Sequence, residues 1–294
     1  MQVDVVAYLN GAFVRTDELA VSAFDRGFLF GHAAYEVTAV YGGGLVDWSG
    51  HGARLVRTLA GLEIPLPSDI AALETLHLEL AERNGMDEGL IYLQVTAGDY
   101  GGRDFAGPED FSPNIVLFTV PKSLIGEEAR DGIAAVSVDD TRWKRRDFKT
   151  TQLLSQALAY REARRRGAQT ALMVEDGFVT EAASANVWIV DKDGQLITRQ
   201  LSPAILAGIT RNTAISALNE IGTSVEERPF ALDDVRAARE SFTTSAGALI
   251  APLVALDGVP IGSGKPGPVT RQIQRHYYTQ MGADVETVAP WALE

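Results

Sequence analysis

Lys149 stands in the run Asp147-Phe148-Lys149-Thr150-Thr151-Gln152-Leu153-Leu154, with Arg142, Lys144, Arg145 and Arg146 just upstream. A lysine amine attacks a carbonyl only when neutral, and partial burial or a neighbouring cation lowers its pKa toward that state. Leu153, Leu154, Ala157, Leu158 and Arg161 follow at helical spacing and Gly167 closes the run, so Lys149 is expected at the entry to an amphipathic helix. The residue is a candidate Schiff-base former. On this stretch alone, a surface lysine in a basic turn is the commoner outcome.

Other segments offer groups for an anion. Arg103 lies in the glycine-rich loop from Ala97 to Pro108, long enough in a compact domain to suggest a functional role, and is suited to a substrate carboxylate. Arg54 is expected near the start of a short helix marked by Leu55, Leu59 and Leu62; it is either a fork for a phosphate or a solvated helix arginine. Ile205-Leu206-Ala207-Gly208-Ile209-Thr210-Arg211 runs into a helix with Ile215, Leu218 and Ile221 inward and Gly222 as its stop. Such an entry presents free N–H groups to an anion, though every helix has one. Tyr35 is either a core residue or a phenol turned into a cleft.

Several chemistries are set aside. The four histidines, His32, His51, His77 and His276, show no two-histidine metal spacing, and no metal is expected. The absence of cysteine removes disulfides and thiolate nucleophiles, and fits a cytoplasmic enzyme. Gly262-Ser263-Gly264-Lys265-Pro266-Gly267 matches G-x-G-x-x-G, but a dinucleotide site needs a following helix, a second parallel strand and a downstream acid, and with one helix left in the sequence no nucleotide role is expected. A net charge of −13 argues against nucleic acid or an anionic membrane as partner. No apolar run is long enough to span a bilayer, and Met1-Gln2-Val3-Asp4 does not open a signal peptide.

The elements that must position these groups read as follows. The 294 residues suggest one large or two medium domains. Val5–Leu9, Asn10-Gly11 and Ala12–Val14 form a hairpin. Ala34–Tyr41 is a strand with Tyr35, Val37 and Ala39 on one face, closed by Gly42-Gly43-Gly44. Ser68 is expected to cap a helix carrying Ile70, Leu73, Leu76 and Leu80 inward and ending at Asn84-Gly85. Strands follow over Leu90–Thr96, Asn114–Val120 and Gly132–Val138. Hairpin turns are expected at Asp176-Gly177, Asp193-Gly194 and Asp257-Gly258. The organisation is α+β: a smaller domain over 1–120, a linker over 121–128, and a larger domain over 129–294 that carries Lys149.

In order and spacing these segments resemble the fold-type IV pyridoxal-phosphate enzymes over nearly the whole chain. The most specific parts are Lys149, then Thr180-Glu181-Ala182-Ala183-Ser184-Ala185-Asn186-Val187-Trp188, then Gly208-Ile209-Thr210-Arg211. The resemblance implies pyridoxal 5′-phosphate as cofactor, with Lys149 as its Schiff-base lysine and proton carrier. It implies Glu181 at the pyridine nitrogen, Leu206 on a ring face, and phosphate contacts from Arg54, the N–H groups of Ile209 and Thr210, and the Ser245-Ala246 turn. Ala246 stands where the family often has a hydroxyl residue, leaving only its backbone N–H to serve. Ala34-Tyr35-Glu36-Val37 resembles the D-amino-acid aminotransferases, in which a tyrosine and an Arg-x-His hold the substrate α-carboxylate. Tyr35 and Arg103 would take those roles here, but Phe105 replaces the histidine, which makes a side activity on (R)-amines plausible. A D-amino-acid transaminase acting on a 2-keto acid is the expected function. An (R)-selective amine:pyruvate transaminase, an aminodeoxychorismate lyase and a branched-chain aminotransferase are the alternatives. A homodimer is expected by resemblance alone.

Overall fold

The computed structural model describes residues 5–293, so the reading of Met1–Asp4 lies outside the described residues. The chain divides into two compact units. One runs up to Ser123 and also takes in Phe148–Gln152; the other comprises Leu124–Asp147 and the chain from Leu153 onward.

The first unit is a sheet backed by two helices. Its elements are β1 (Val6–Leu9), β2 (Ala12–Arg15), α1 (Arg26–Phe30), β3 (Ala33–Tyr41), β4 (Gly44–Leu45), α2 (Trp48–Gly61), α3 (Ile70–Arg83), β5 (Glu88–Thr96) and β6 (Asn114–Pro121). The strands pair in the order β2-β1-β6-β5-β3-β4, all antiparallel. The first hairpin turns at Asn10 and Gly11, whose φ values of 48° and 99° suit a tight turn matching the strand twist. Leu55, Leu59, Leu73 and Leu80 from the helices pack with Ile91, Leu93, Val95 and Leu117 of the sheet. Truncating one of these leucines to alanine should cost about 2–5 kcal/mol.

Two helix expectations change here. The helix carrying Arg54 starts at Trp48, so Arg54 lies in its second turn and not at its start. Asp69, not Ser68, caps α3, because its carboxylate accepts from the Ala72 N–H at 2.7 Å.

The second unit carries α4 (Glu127–Asp131), β7 (Ile133–Asp139), α5 (Leu154–Arg165), β8 (Thr170–Glu175), β9 (Phe178–Ala182), β10 (Asn186–Val190), β11 (Leu196–Thr198), α6 (Ile209–Glu220), β12 (Val225–Glu227), α7 (Leu232–Ala237), β13 (Glu240–Ser245), β14 (Leu249–Leu256), β15 (Val259–Pro260), α8 (Pro268–Gln280) and α9 (Val285–Val288). Its sheet runs β12-β11-β10-β13-β14-β7-β8-β9, with β15 paired to β14. The β11–β12, β14–β7 and β7–β8 pairs are parallel and the others antiparallel. Asp-Gly turns at 176–177 and 257–258 hold positive φ at both positions, as read from the sequence. Runs of strand with peripheral helices in both units make the architecture α+β. Among the described residues no helix is long and apolar enough to cross a membrane.

The division differs from the sequence expectation in two places. The 121–128 segment, expected to be a linker, already contains the start of α4. Lys149 clusters with the first unit, whereas the larger domain was expected to carry it. The reason lies in Phe148–Thr151: Thr150 bridges Ala34, the Tyr35 N–H donates to the Lys149 carbonyl at 3.0 Å, and the Thr151 N–H donates to the Ala33 carbonyl at 3.1 Å. The segment extends the edge of β3. The helix after it begins only at Leu154 and buries Ala159 and Ala163 against Val136, Ala171 and Met173. Leu154 and Leu158, expected inside, are 73% and 51% exposed, because the alanine stripe lets α5 approach its sheet more closely than leucines would. In α6 the buried set is Thr210, Arg211, Ala214, Ala217 and Leu218, and Ile221 turns outward.

Candidate active site

In the first unit, the Lys149 segment is fixed from three sides. The Phe148 ring packs on Gly61 of α2, where an added Cβ would lie 2.1 Å from Cζ. The Lys149 N–H faces the Thr58 hydroxyl at 3.4 Å, and the backbone bonds to β3 complete the hold. The Lys149 side chain is half-buried, with Nζ 4.1 Å from the centroid of the Tyr35 ring. Tyr35 stacks on Tyr92 and Tyr92 on Phe118, a ladder across β3, β5 and β6 with centroids 5.6 and 4.8 Å apart. Tyr35 is therefore half-buried on an aromatic face and not in the leucine core. The structure brings Tyr35 and Lys149 together.

Arg54 is buried in an ion pair. Its Nε donates to Glu36 Oε1 at 2.8 Å and one Nη to Oε2 at 2.7 Å, while His51 Nδ1 lies 2.8 Å from the same Oε2. Burial alone would raise the Glu36 pKa; the Arg54 guanidinium, aided by His51, outweighs it and holds the carboxyl well below its ordinary range. Arg54 is thus aimed by Glu36, a partner that alternation on β3 places on the inward face.

Arg103 is exposed on the loop after β5. Its guanidinium lies over the rings of Phe30 and Phe105, 5.6 and 4.7 Å from their centroids.

In the second unit, Glu181 is buried at the end of β9. Its Oε1 accepts from Asn186 Nδ2 at 3.0 Å and from the Leu206 N–H at 3.1 Å; its Oε2 pairs with Arg142. Arg142 is in turn held by Asp140, with Nε and Nη2 at 2.9 and 2.7 Å from its two oxygens. Burial pushes the Glu181 pKa up and the Arg142 charge pulls it back, with burial the larger effect. The four basic residues upstream of Lys149, expected to supply a cation for it, are each paired: Arg142 with Asp140 and Glu181, Lys144 and Arg146 with Glu175, and Arg145 with Asp147.

Asn186 joins several expected site residues. Its Nδ2 also donates to the Leu206 carbonyl at 3.0 Å, and a Cβ on Gly208 would lie 2.0 Å from its Oδ1. Gly208 opens α6 with no side-chain cap, so the first N–H groups, those of Ile209 and Thr210, are not taken by a capping side chain. Asn186 pairs with Thr244 across β10 and β13, one residue before Ser245. The Ser245 hydroxyl accepts from the Ala248 N–H at 3.2 Å and shapes the turn through Ala246. Sequence reasoning gave Asn186 no role although it sits in the Thr180–Trp188 motif. Arg142 was read as a partner of Lys149, because spacing along the chain does not show which carboxylate a guanidinium meets.

Within the second unit, a buried carboxylate backed by a fixed cation and an uncapped helix entry beside a bare glycine fit a protonated ring nitrogen and a phosphate; within the first, a half-buried lysine amine over a phenol fits an aldehyde. The amino-transferase class IV family model matches residues 33–256. The D-alanine aminotransferase of Bacillus licheniformis is 35% identical over 265 residues, 90% of this chain and 93% of that protein. Among solved structures, the branched-chain amino acid aminotransferase of Escherichia coli superposes with a TM-score of 0.86 at 25% identity, covering 96% of this chain and 97% of that one. The branched-chain aminotransferase of the thermophilic archaeon Thermoproteus uzoniensis, solved with norvaline, gives a TM-score of 0.82 at 26% identity over 98% of each chain. A further branched-chain amino acid aminotransferase, solved with pyridoxamine 5′-phosphate, gives a TM-score of 0.85 at 25% identity over 94% and 93% of the two chains.

Proposed function

The chain belongs to the class IV aminotransferases, and from that premise we propose the residues and substrates with which it works. It is a pyridoxal-phosphate-dependent transaminase of D-amino acids, and the observation that carries the donor class is the likeness to the D-alanine aminotransferases over nine-tenths of the chain. D-Alanine is the proposed donor and a 2-keto acid the acceptor, in two alternating half-reactions.

When bound, the cofactor supplies the carbonyl that takes up the amino group and the electron sink for breaking the donor Cα–H bond. The residues of this chain do the rest. Lys149 would hold the cofactor through Nζ, and the same amine would carry the proton taken from the donor Cα. Glu181, whose carboxyl pKa is raised by burial against the opposing charge of Arg142, would hold the proton on the ring nitrogen. Leu206 would pack on a ring face. Arg54, the N–H groups of Ile209 and Thr210, Ser245 and the Ala246 backbone hold the phosphate. Tyr35 and Arg103 hold the donor carboxylate, which orients the Cα–H bond. The fit of Glu181 is supported by its fixed geometry, and that of the phosphate set by the uncapped entry to α6.

Phe105 favours a second activity, on (R)-amines, because an aromatic ring replaces a hydrogen-bonding histidine in the proposed carboxylate clamp. We also propose a homodimer and a cytoplasmic location, the latter supported by the absence of cysteine.

The test is one half-reaction. D-Alanine added to the loaded enzyme should convert the visible absorption to that of the aminated cofactor, with L-alanine inert. Conversion by L-alanine alone would overturn the D-amino-acid reading. Turnover of aminodeoxychorismate without a keto acid would favour the lyase. Sedimentation at twice the chain mass checks the dimer.

A further inference from the structure

Arg26 is 7% exposed, and the acceptors of its guanidinium are two backbone carbonyls and a ring nitrogen. Nη1 donates to the Asp104 carbonyl at 2.6 Å, Nη2 to the Phe105 carbonyl at 2.8 Å, and Nε to His32 Nδ1 at 3.3 Å. Because arginine only donates, the His32 proton sits on Nε2, which donates to the Leu62 carbonyl at 2.8 Å. The guanidinium carbon lies 4.9 Å from the Phe30 centroid and 5.6 Å from that of Phe111.

These contacts close on the loop that carries Arg103. The base of the loop is tied by Tyr100, whose hydroxyl donates to the Ala97 carbonyl and accepts from the Ser112 N–H, both at 2.7 Å. Its far side passes over Arg26 at Gly107, where φ is +73° and a Cβ would lie 3.0 Å from Nη1. Asp25 fixes the other end of the support: its carboxylate caps α1 at the Gly27 N–H and accepts from Thr96 and Asn114, residues that flank the loop. Phe30 then lies beneath both guanidinium groups and 5.1 Å from Phe105.

We propose that Arg26 is a positioning residue for Arg103: by fixing the backbone at Asp104 and Phe105 it sets the direction of the carboxylate clamp, and so the preference for donors that carry an α-carboxylate. The inference rests on the reading of Arg103 as the ligand of that carboxylate. A lysine at 26 keeps the charge and loses the planar fork that reaches two carbonyls and a ring nitrogen together. In place of the family's loop histidine, Phe105 gives Arg103 a ring to lie on.

The test compares Arg26→Lys with the wild type as loaded enzymes, on D-alanine and on D-alaninol, which keeps the amine and lacks the carboxylate. The KM for D-alanine should rise about tenfold with kcat nearly unchanged, the loss of an interaction shared by ground and transition states. D-Alaninol should be unaffected, and amides 103–107 should exchange hydrogen faster. An unchanged KM, or equal losses on both donors, overturns the proposal. Arg103→Ala separates the two layers. If it spares D-alanine, the clamp reading and the inference fall together; if it raises the KM while Arg26→Lys does not, the inference falls alone. Should Arg26→Lys not fold, Phe30→Leu removes the ring under both guanidinium groups, leaves the fork in place, and must show the same split.

Discussion

The Phe148 ring lies on the bare Cα of Gly61, so close that a methyl there would sit 2.1 Å from Cζ. One glycine in α2 thereby sets how near the segment carrying Lys149 can come to the helix. Gly61→Ala forces the ring and the segment outward. It should cost about 1–3 kcal/mol by overpacking, with a loss of kcat beyond that of a neutral control such as Ala60→Ser. Thermal melts and initial rates check both; full activity would show that Phe148 does not govern Lys149.

Lys149→Ala should abolish transamination while leaving the fold intact, because its side chain is half-buried over Tyr35 and carries no core packing. Circular dichroism and a single-turnover assay read the two effects. Measurable turnover in this variant would remove Lys149 from the mechanism.

Glu36→Leu removes the buried carboxylate that Arg54 and His51 share and should cost about 3–5 kcal/mol. The folded pKa of Glu36 is depressed, so its contribution to stability is present above the ordinary carboxylate value of 4.5 and drains away as pH falls below it. Denaturant midpoints in that acid range should fall less steeply with pH in the variant. Identical slopes would mean that Glu36 is not an acid-sensitive group of the fold.

Arg142→Met withdraws the cation that opposes the burial of Glu181, and the Glu181 pKa should rise further. Glu181 must be ionised to hold a ring-nitrogen proton, so the acidic limb of kcat/KM should move to higher pH. A profile that keeps its position would detach Arg142 from the reaction.

Arg103→Ala should raise the KM for D-alanine more than that for (R)-1-phenylethylamine, since only the former has a carboxylate to lose. Phe105→His should shift preference the other way, toward D-alanine, by adding a donor beside Arg103. Parallel changes on both substrates would argue against a clamp at this loop.

Local chemistry made much of this legible without coordinates. Asn10-Gly11, Asp176-Gly177 and Asp257-Gly258 turn where they stand because those residues tolerate positive φ whatever surrounds them. The order of Lys149, the Thr180–Trp188 motif and Gly208–Arg211 was enough to name a family and its cofactor. Helix faces were less legible. Leucines at 154 and 158 and alanines at 159 and 163 both follow helical spacing, and only the sheet beneath α5 selects the alanines.

What the sequence determined by itself is therefore the set of elements, their turns and the identity of the chemical groups, all of which depend on neighbours a few positions apart. The tertiary structure alone decided the partners. Glu36 meets Arg54 eighteen positions on, Arg142 leaves Lys149 for Asp140 and Glu181, Arg26 reaches the carbonyls of Asp104 and Phe105, and Phe148 finds Gly61. Such contacts are set by how strands register and how closely a helix approaches a sheet. A guanidinium binds whichever acceptors that packing places within its reach, and no local pattern records which they are.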